Sequence, residues 1–166
     1  MVGDAYKGEA TNDIFLDALL EEDGEDFIID TKTLRIRIGK EGDAQVFDKR
    51  SQKLAFNIVG SDGLTLKFSH RENEFFYGGG VQNGRFVHKC NEIEIKNTNN
   101  WLDGGVASPN PFFFSNASYG LLANTFAPGK YVFKDPVEIS HDEDKLDLYF
   151  MVNADYYKLY EDSKRI

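Results

Sequence analysis

Apolar side chains in this chain recur at every second position, and that period limits its fold more than any other feature. Leu34, Ile36 and Ile38 share one side of an extended segment, while Arg35 and Arg37 take the other. Leu64, Leu66 and Phe68 alternate with Thr65 and Lys67, and Ile93 and Ile95 alternate with Glu92, Glu94 and Lys96. A later run puts Leu146, Leu148, Phe150 and Val152 on one face. Alternation of this kind builds half-buried strands and does not fit the 3.6-residue period of an amphipathic helix.

Turn signals separate these runs. Gly39-Lys40-Glu41-Gly42-Asp43 follows the strand expected after Phe27-Ile28-Ile29, and Ala44-Gln45-Val46-Phe47 returns as its hairpin partner. Asp48-Lys49-Arg50-Ser51 and Ser61-Asp62-Gly63 bracket a strand over Lys53 to Val59. Shorter candidates lie at Phe112–Ser115, Gly120–Asn124, Tyr131–Phe133 and Val137–Ile139. Some nine or ten short strands, with turns every ~8–12 residues, predict a β-sandwich rather than a parallel α/β fold. The 14 Phe and 8 Tyr fit the same class, because aromatic residues favour pleated, half-buried surfaces.

Two helical signals flank the strands. Asn12-Asp13 reads as a cap for a short helix carrying Ile14, Phe15, Ala18, Leu19 and Leu20, which Asp23-Gly24 would stop. A second helix is expected to start near Ala154, with Tyr156, Leu159 and Tyr160 on one face. The division that follows is a tail and short helix over 1–24, a sandwich over 25–153, and the start of a linker or helix over 154–166. At 166 residues there is room for one domain with a substantial core.

The formal charge of −9 disfavours nucleic acid and anionic membranes, which require a concentrated basic surface. Lys32, Arg35, Arg37 and Lys40, and then Lys49, Arg50 and Lys53, sit among acids and read as solvated faces. No apolar run approaches the ~20 residues of a membrane span, and Met1 to Lys7 lacks the pattern of a signal peptide. Cys90 is the single cysteine, so no intrachain disulfide is expected. A cytoplasmic setting is the default expectation.

Chemistry-bearing residues concentrate between Phe75 and Phe133. Gly78-Gly79-Gly80 is followed by Val81-Gln82-Asn83-Gly84 without a Lys-Ser/Thr pair, which argues against a phosphate loop. The glycines fit a bulge or a tight corner, and Gln82 and Asn83 offer donors and acceptors that match sugar hydroxyls. Asn97-Thr98-Asn99-Asn100-Trp101-Leu102-Asp103-Gly104-Gly105 follows a strand and reads as a loop. Trp101 is either a core side chain or a stacking surface for a sugar, and its polar neighbours favour the second. Asp103 either accepts hydroxyl hydrogen bonds or closes a turn with Gly104.

No catalytic constellation accompanies this segment. His70, His88 and His141 are scattered, which fits neither a metal centre nor a cofactor site. The acidic groups Glu21-Glu22-Asp23, Glu25-Asp26 and Asp142-Glu143-Asp144 read as solvated turns rather than a glycosidase pair.

The segment Phe76-Tyr77-Gly78-Gly79-Gly80-Val81-Gln82, with Ile95-Lys96-Asn97-Thr98-Asn99 and Pro111-Phe112-Phe113-Phe114-Ser115, resembles glycoside hydrolase family 31. Ser118-Tyr119-Gly120-Leu121-Leu122, Asn124-Thr125-Phe126 and Leu146 to Met151 are similar to later strands of the same family, in order. The resemblance covers about residues 27–160 and points to the N-terminal, galactose-mutarotase-like sandwich that precedes a catalytic (β/α)8 barrel. It implies a non-catalytic domain of a retaining α-glycosidase that packs on the barrel and lends a loop, here Asn97–Asp103, to the sugar pocket. Both catalytic aspartates of the family belong to the barrel, so no catalytic residue transfers to this chain.

The pocket residues it implies are Asn99, Trp101 and Asp103, with Gln82 and Asn83 nearby or supporting the loop. Many α-glucosidases have Asp where this chain has Asn99, and Gly-Leu-Gly-Glu-Gln where it has Gly79-Gly80-Val81-Gln82. The variants here look more like a subgroup that includes α-N-acetylgalactosaminidases. The competing expectations are a free-standing carbohydrate-binding module and an aldose mutarotase, the latter disfavoured by the dispersed histidines.

Overall fold

The computed structural model describes residues 18–164 apart from Gly63. Among the described residues, thirteen strands and one helix follow in order: β1 Leu19–Asp23, β2 Asp26–Asp30, β3 Leu34–Ile38, β4 Ala44–Asp48, β5 Lys53–Asp62, β6 Thr65–Ser69 and β7 Phe76–Gln82. After these come β8 Glu92–Ile95, β9 Val106–Ser115, β10 Tyr119–Ala123, β11 Gly129–Phe133, β12 Val137–His141, β13 Leu148–Val152 and α1 Tyr156–Ser163. The strands form two antiparallel sheets, one of nine strands in the order β1-β2-β3-β4-β5-β6-β12-β11-β8 and one of four in the order β13-β10-β9-β7. The β-sandwich expected from the alternating pattern is the fold observed.

The sheets face each other across a single aromatic-rich core. Phe56, Phe68, Tyr131, Phe133 and Ile139 enter it from the larger sheet, and Phe76, Phe113, Tyr119 and Leu121 from the smaller. Phe113 is fully buried, and its ring meets Phe133 at 5.3 Å and Tyr131 at 5.8 Å between centroids, both edge to face. Such offset ring contacts add to what burial alone contributes, and truncating a buried Phe costs about 3–5 kcal/mol.

The helix expected over residues 12–20 is a correction in the part that is described. Residues 12–17 lie outside the described residues, while Leu19 and Leu20 belong to strand β1, paired with Ile29 and Asp30 of β2. Asp23 pairs with Asp26, so Gly24-Glu25 is a two-residue hairpin turn, and Gly24 takes the positive φ of +67° that such a turn needs. Asp23-Gly24 therefore reverses a strand instead of stopping a helix. A boundary between 24 and 25 would cut this hairpin, so the sheet extends back at least to Leu19. The C-terminal helix forms as expected, with Asp155 as its N-cap accepting from the Tyr157 N–H at 2.9 Å.

The glycines of strand β7 read from the sequence as a bulge or a tight corner, not as a strand. The strand pairs along β9, with register shifts between Gly78 and Gly80 and between Val81 and Gln82. The glycines accordingly form bulges within a strand, which satisfies the bulge reading and adds a strand to it. Gly80 shows why glycine is required: its φ is +78°, and a Cβ there would fall 2.0 Å from the Ser108 carbonyl oxygen. These bulges re-aim the chain at the end of the small sheet, where the candidate site lies.

Candidate functional site

Two connections meet at that end of the sandwich. One leaves β7 after Gln82 and runs to β8, and the other leaves β8 after Ile95 and crosses to the second sheet at Val106. Asn83 joins them. Its backbone N–H donates to the Gly105 carbonyl at 3.0 Å, and its carbonyl accepts from the Gly104 N–H at 2.9 Å. Its side-chain Nδ2 donates to the carbonyls of Asn100 at 2.8 Å and Leu102 at 3.1 Å. Four hydrogen bonds from one residue thus fix the shape of the second loop.

The loop also closes on itself. The Leu102 N–H donates to Asn100 Oδ1 at 3.1 Å, and the Gly105 N–H donates to the Leu102 carbonyl at 2.9 Å. The Asn100 N–H and the Thr98 hydroxyl both donate to the Val106 carbonyl, at 2.9 Å and 3.1 Å. Gly84 has φ +76°, and a Cβ on it would come within 1.8 Å of Asp103 Oδ1, so its bareness admits the Asp103 carboxylate against the first loop.

The five residues singled out from the sequence divide into two groups. Gln82 and Asn83 line a cleft of ≈ 340 Å³ with Arg85, Glu92, Thr98 and Asn100. Asn99, Trp101 and Asp103 are on the same loop but outside the lining of that cleft. Gln82 Nε2 donates to the carbonyls of Gly79 at 2.8 Å and Glu94 at 3.2 Å. The amide nitrogens of both Gln82 and Asn83 therefore donate to backbone carbonyls, and their oxygens Oε1 and Oδ1 can act only as acceptors.

Trp101 is 69% exposed, and Leu102 beside it is 75% exposed. The indole is outside the core, on the loop surface, where its Nε1–H donates to Asn99 Oδ1 at 2.9 Å. Asn99 itself has a positive φ of 50°, a conformation that Asn tolerates better than most residues. A flat apolar ring with one polar edge held by an amide is a suitable platform for a sugar face.

Arg85, Thr98 and Asn100 were missed as cleft residues by sequence reasoning, although Asn100 and Thr98 stood in the amide-rich run that identified the loop. Arg85 donates from Nη1 to the Glu92 carbonyl at 3.3 Å. Lys130 Nζ lies 3.0 Å from Glu92 Oε2, and this hydrogen-bonded ammonium holds the Glu92 carboxyl below its usual range. A general acid needs the opposite shift, so Glu92 is not suited to protonate a leaving group.

None of the histidines lines the cleft. His88 is 1% exposed, stacked on Phe133, and its Nε2–H donates to the Gly78 carbonyl at 2.9 Å. Burial pushes its pKa down. His141 contacts the Tyr131 hydroxyl through Nε2 at 3.0 Å and the Ala127 carbonyl through Nδ1 at 3.0 Å. Among the described residues, no group of three or more His, Cys, Asp and Glu side chains is placed to hold a metal.

Residues 8–131 match the family model described as the glycosyl hydrolase 31 N-terminal galactose mutarotase-like domain. The chain belongs to that family. Solved structures agree on the fold. A Flavobacterium johnsoniae family 31 dextranase complexed with isomaltotriose superposes with a TM-score of 0.78 at 22% identity, over 87% of this chain and 20% of the dextranase. A family 31 α-xylosidase from a soil metagenome, complexed with xylose, gives 0.70 at 15% identity, over 87% of this chain and 26% of its own.

The cycloalternan-forming enzyme of Listeria monocytogenes, in complex with a pentasaccharide substrate, gives 0.69 at 18% identity, over 82% of this chain and 15% of its own. This family 31 domain thus spans about a fifth of the dextranase it superposes on. No curated protein matches the sequence. Among the described residues, no helix is long and apolar enough to cross a membrane.

Proposed function

We propose that this chain is the non-catalytic N-terminal domain of a retaining family 31 α-glycosidase. In this reading it packs on a catalytic (β/α)8 barrel of the same polypeptide and lends the Asn97–Asp103 loop to the sugar pocket. The observation that carries the reading is the latched loop. Asn83 fixes its shape while Trp101, Asn99 and Asp103 remain outside the core, available to a ligand. In the parent enzyme one aspartate attacks the anomeric carbon and a second protonates the leaving oxygen, both supplied by the barrel. The domain therefore contributes orientation and selectivity, with Trp101 as the stacking surface and Asn99 and Asp103 as polar contacts.

The 166-residue chain should not hydrolyse nitrophenyl α-glycosides; measurable turnover would refute the non-catalytic role. A single exposed thiol, Cys90, suits a reducing compartment, and we take the cytoplasm as the setting. The exposed indole also favours one second reading, a free-standing carbohydrate-binding module. That reading requires the 166-residue chain to bind glycans by itself. Titration calorimetry against a glycan panel separates the two, since a domain completing half a pocket should give no heat of binding at millimolar sugar.

A further inference from the structure

Asn83 is followed by Gly84, and this is the one Asn-Gly pair in the sequence. The carbon of an asparagine carboxamide lies within a bond rotation of the next residue's backbone nitrogen, which can attack it to close a succinimide ring. A side chain on the following residue hinders that attack, and glycine has none. Residues 83 and 84 thus carry the chemistry, and the fold decides which of the two groups is free to react.

The nucleophile is free. The Arg85 N–H donates to the Gln82 carbonyl at 3.2 Å, so Asn83 and Gly84 are the central residues of a β-turn, with Gly84 at φ +76°. The Asn83 carbonyl points at the second loop, where it accepts from the Gly104 N–H at 2.9 Å. Across a trans peptide the N–H lies opposite the carbonyl, so the Gly84 N–H points away from that loop. Gly84 is exposed, and its N–H donates to no acceptor among the described residues. Two other pairs show the contrast. Asp103 also precedes a glycine, but the Gly104 N–H is engaged by the Asn83 carbonyl. Asn116 precedes an alanine, and the Ala117 N–H donates to Ser115 Oγ at 2.9 Å.

The electrophile is held. Asn83 Nδ2 donates to the carbonyls of Asn100 and Leu102, so its Cγ turns toward the Gly84 nitrogen only when this latch opens. Both bonds are solvent-exposed, and such bonds open locally without global unfolding. We propose that Asn83–Gly84 is a covalent modification site, at which opening of the latch leads to deamidation and the product cannot latch again. The Gly84 nitrogen bonds to Asn83 Cγ, the Cγ–Nδ2 bond breaks, and ammonia leaves with the Gly84 amide proton. Water then opens the succinimide at either of its carbonyls, leaving aspartate or isoaspartate at position 83. Water is the only other reactant.

Either product loses the donor to the Asn100 and Leu102 carbonyls and brings a carboxylate to the loop. Isoaspartate also lengthens the main chain by a methylene, which breaks the paired backbone bonds to Gly104 and Gly105. The Asp103 carboxylate, packed against Gly84, adds like-charge repulsion. Release of the loop is therefore one-way, and it follows whatever ligand or partner the loop meets.

Peptide mapping by mass spectrometry of the folded 166-residue chain, incubated in mildly alkaline heavy-oxygen water, tests this. Position 83 should take up label, as both aspartate and isoaspartate, ahead of Asn116 and every other asparagine. Conversion should be about five- to thirty-fold slower than in the same chain unfolded in urea, the factor by which two exposed hydrogen bonds keep the latch closed. In the converted fraction, as in Asn83→Asp, the Gly104 amide should exchange about five- to thirty-fold faster. Asn83→Gln should abolish labelling of that peptide, because its longer side chain closes a less favourable ring.

Conversion at Asn83 no faster than at Asn116 overturns the site. Equal rates in the folded and urea-unfolded chain overturn the gating by the latch. A converted fraction whose Gly104 amide stays protected shows that the modification does not free the loop, and overturns the proposal as well.

Discussion

The indole N–H of Trp101 donates to the Asn99 carboxamide oxygen at 2.9 Å, two residues back in the same loop. Asn99 achieves this with a left-handed backbone, φ 50°, which turns its side chain toward the ring that follows. The pair is a small surface device: the amide fixes one edge of the indole and leaves its faces to solvent.

Asn99→Gly should leave stability within about 0.5 kcal/mol, because glycine accepts the same φ and the lost hydrogen bond is exposed. Trp101 is the only tryptophan, so its fluorescence reports directly on the loop. Steady-state anisotropy should fall in the variant. An unchanged anisotropy would show that the Asn99 amide does not hold the ring.

Asn83→Ala removes two donors from the carbonyls of Asn100 and Leu102. At about 1 kcal/mol for each partly solvated bond, the loss of stability should be about 1–2 kcal/mol. Asn83→Asp should be worse, since a carboxylate turns a lone pair toward those carbonyls. Denaturant melts should rank wild type above alanine and alanine above aspartate, and the Gly104 amide should exchange faster in both variants.

Gly80→Ala sets a Cβ against backbone, 2.0 Å from the Ser108 oxygen and 2.6 Å from the Asn110 nitrogen. Strands β7 and β9 would have to part, and a loss of about 3 kcal/mol is expected. Gly84→Ala meets only the tip of the Asp103 side chain, which can rotate away, so the residual penalty is the left-handed backbone at about 1–2 kcal/mol. Thermal melts of the two variants should differ in this order; equal shifts would contradict the assignment of the close approach.

His88 carries the pH prediction. Its folded pKa lies below the ordinary histidine value because burial opposes the charged ring. The unfolded chain therefore binds more protons as pH falls, and the contribution is complete above about pH 6.5 and lost progressively below it. Urea unfolding at pH 7.5 and 5.5 should show a fall in stability that His88→Gln reduces. Asp30 and Glu92, held below the carboxylate range by Lys49 and Lys130 hydrogen bonds, lose stability only in more acidic solution. An equal fall in the Gln variant would assign the pH dependence elsewhere.

Sequence reasoning read most strands because their period is local: Leu34 to Ile38 states its own inner and outer faces. It failed at β7, where Gly78, Gly79 and Gly80 carry no side chain to show alternation, and at β1, where Leu19 and Leu20 fit a helical spacing equally well. Pairing with β2 decided the second case, and pairing is not written in either strand alone. The exposure of Trp101 was legible from its polar neighbours. The Asn83 latch was not, because its carbonyl partners are 17 and 19 residues away and any residue type supplies a carbonyl.

The most direct measurement is kcat/KM for α-glycoside hydrolysis by the barrel-bearing polypeptide, wild type against Trp101→Ala, with the melting temperature of both recorded. Loss of a stacking surface worth about 1–3 kcal/mol predicts a fall of about five-fold to about a hundred-fold, mainly through KM, with the melting temperature unchanged. Unchanged kinetics in the correctly folded variant would contradict the claim that this loop belongs to the sugar pocket.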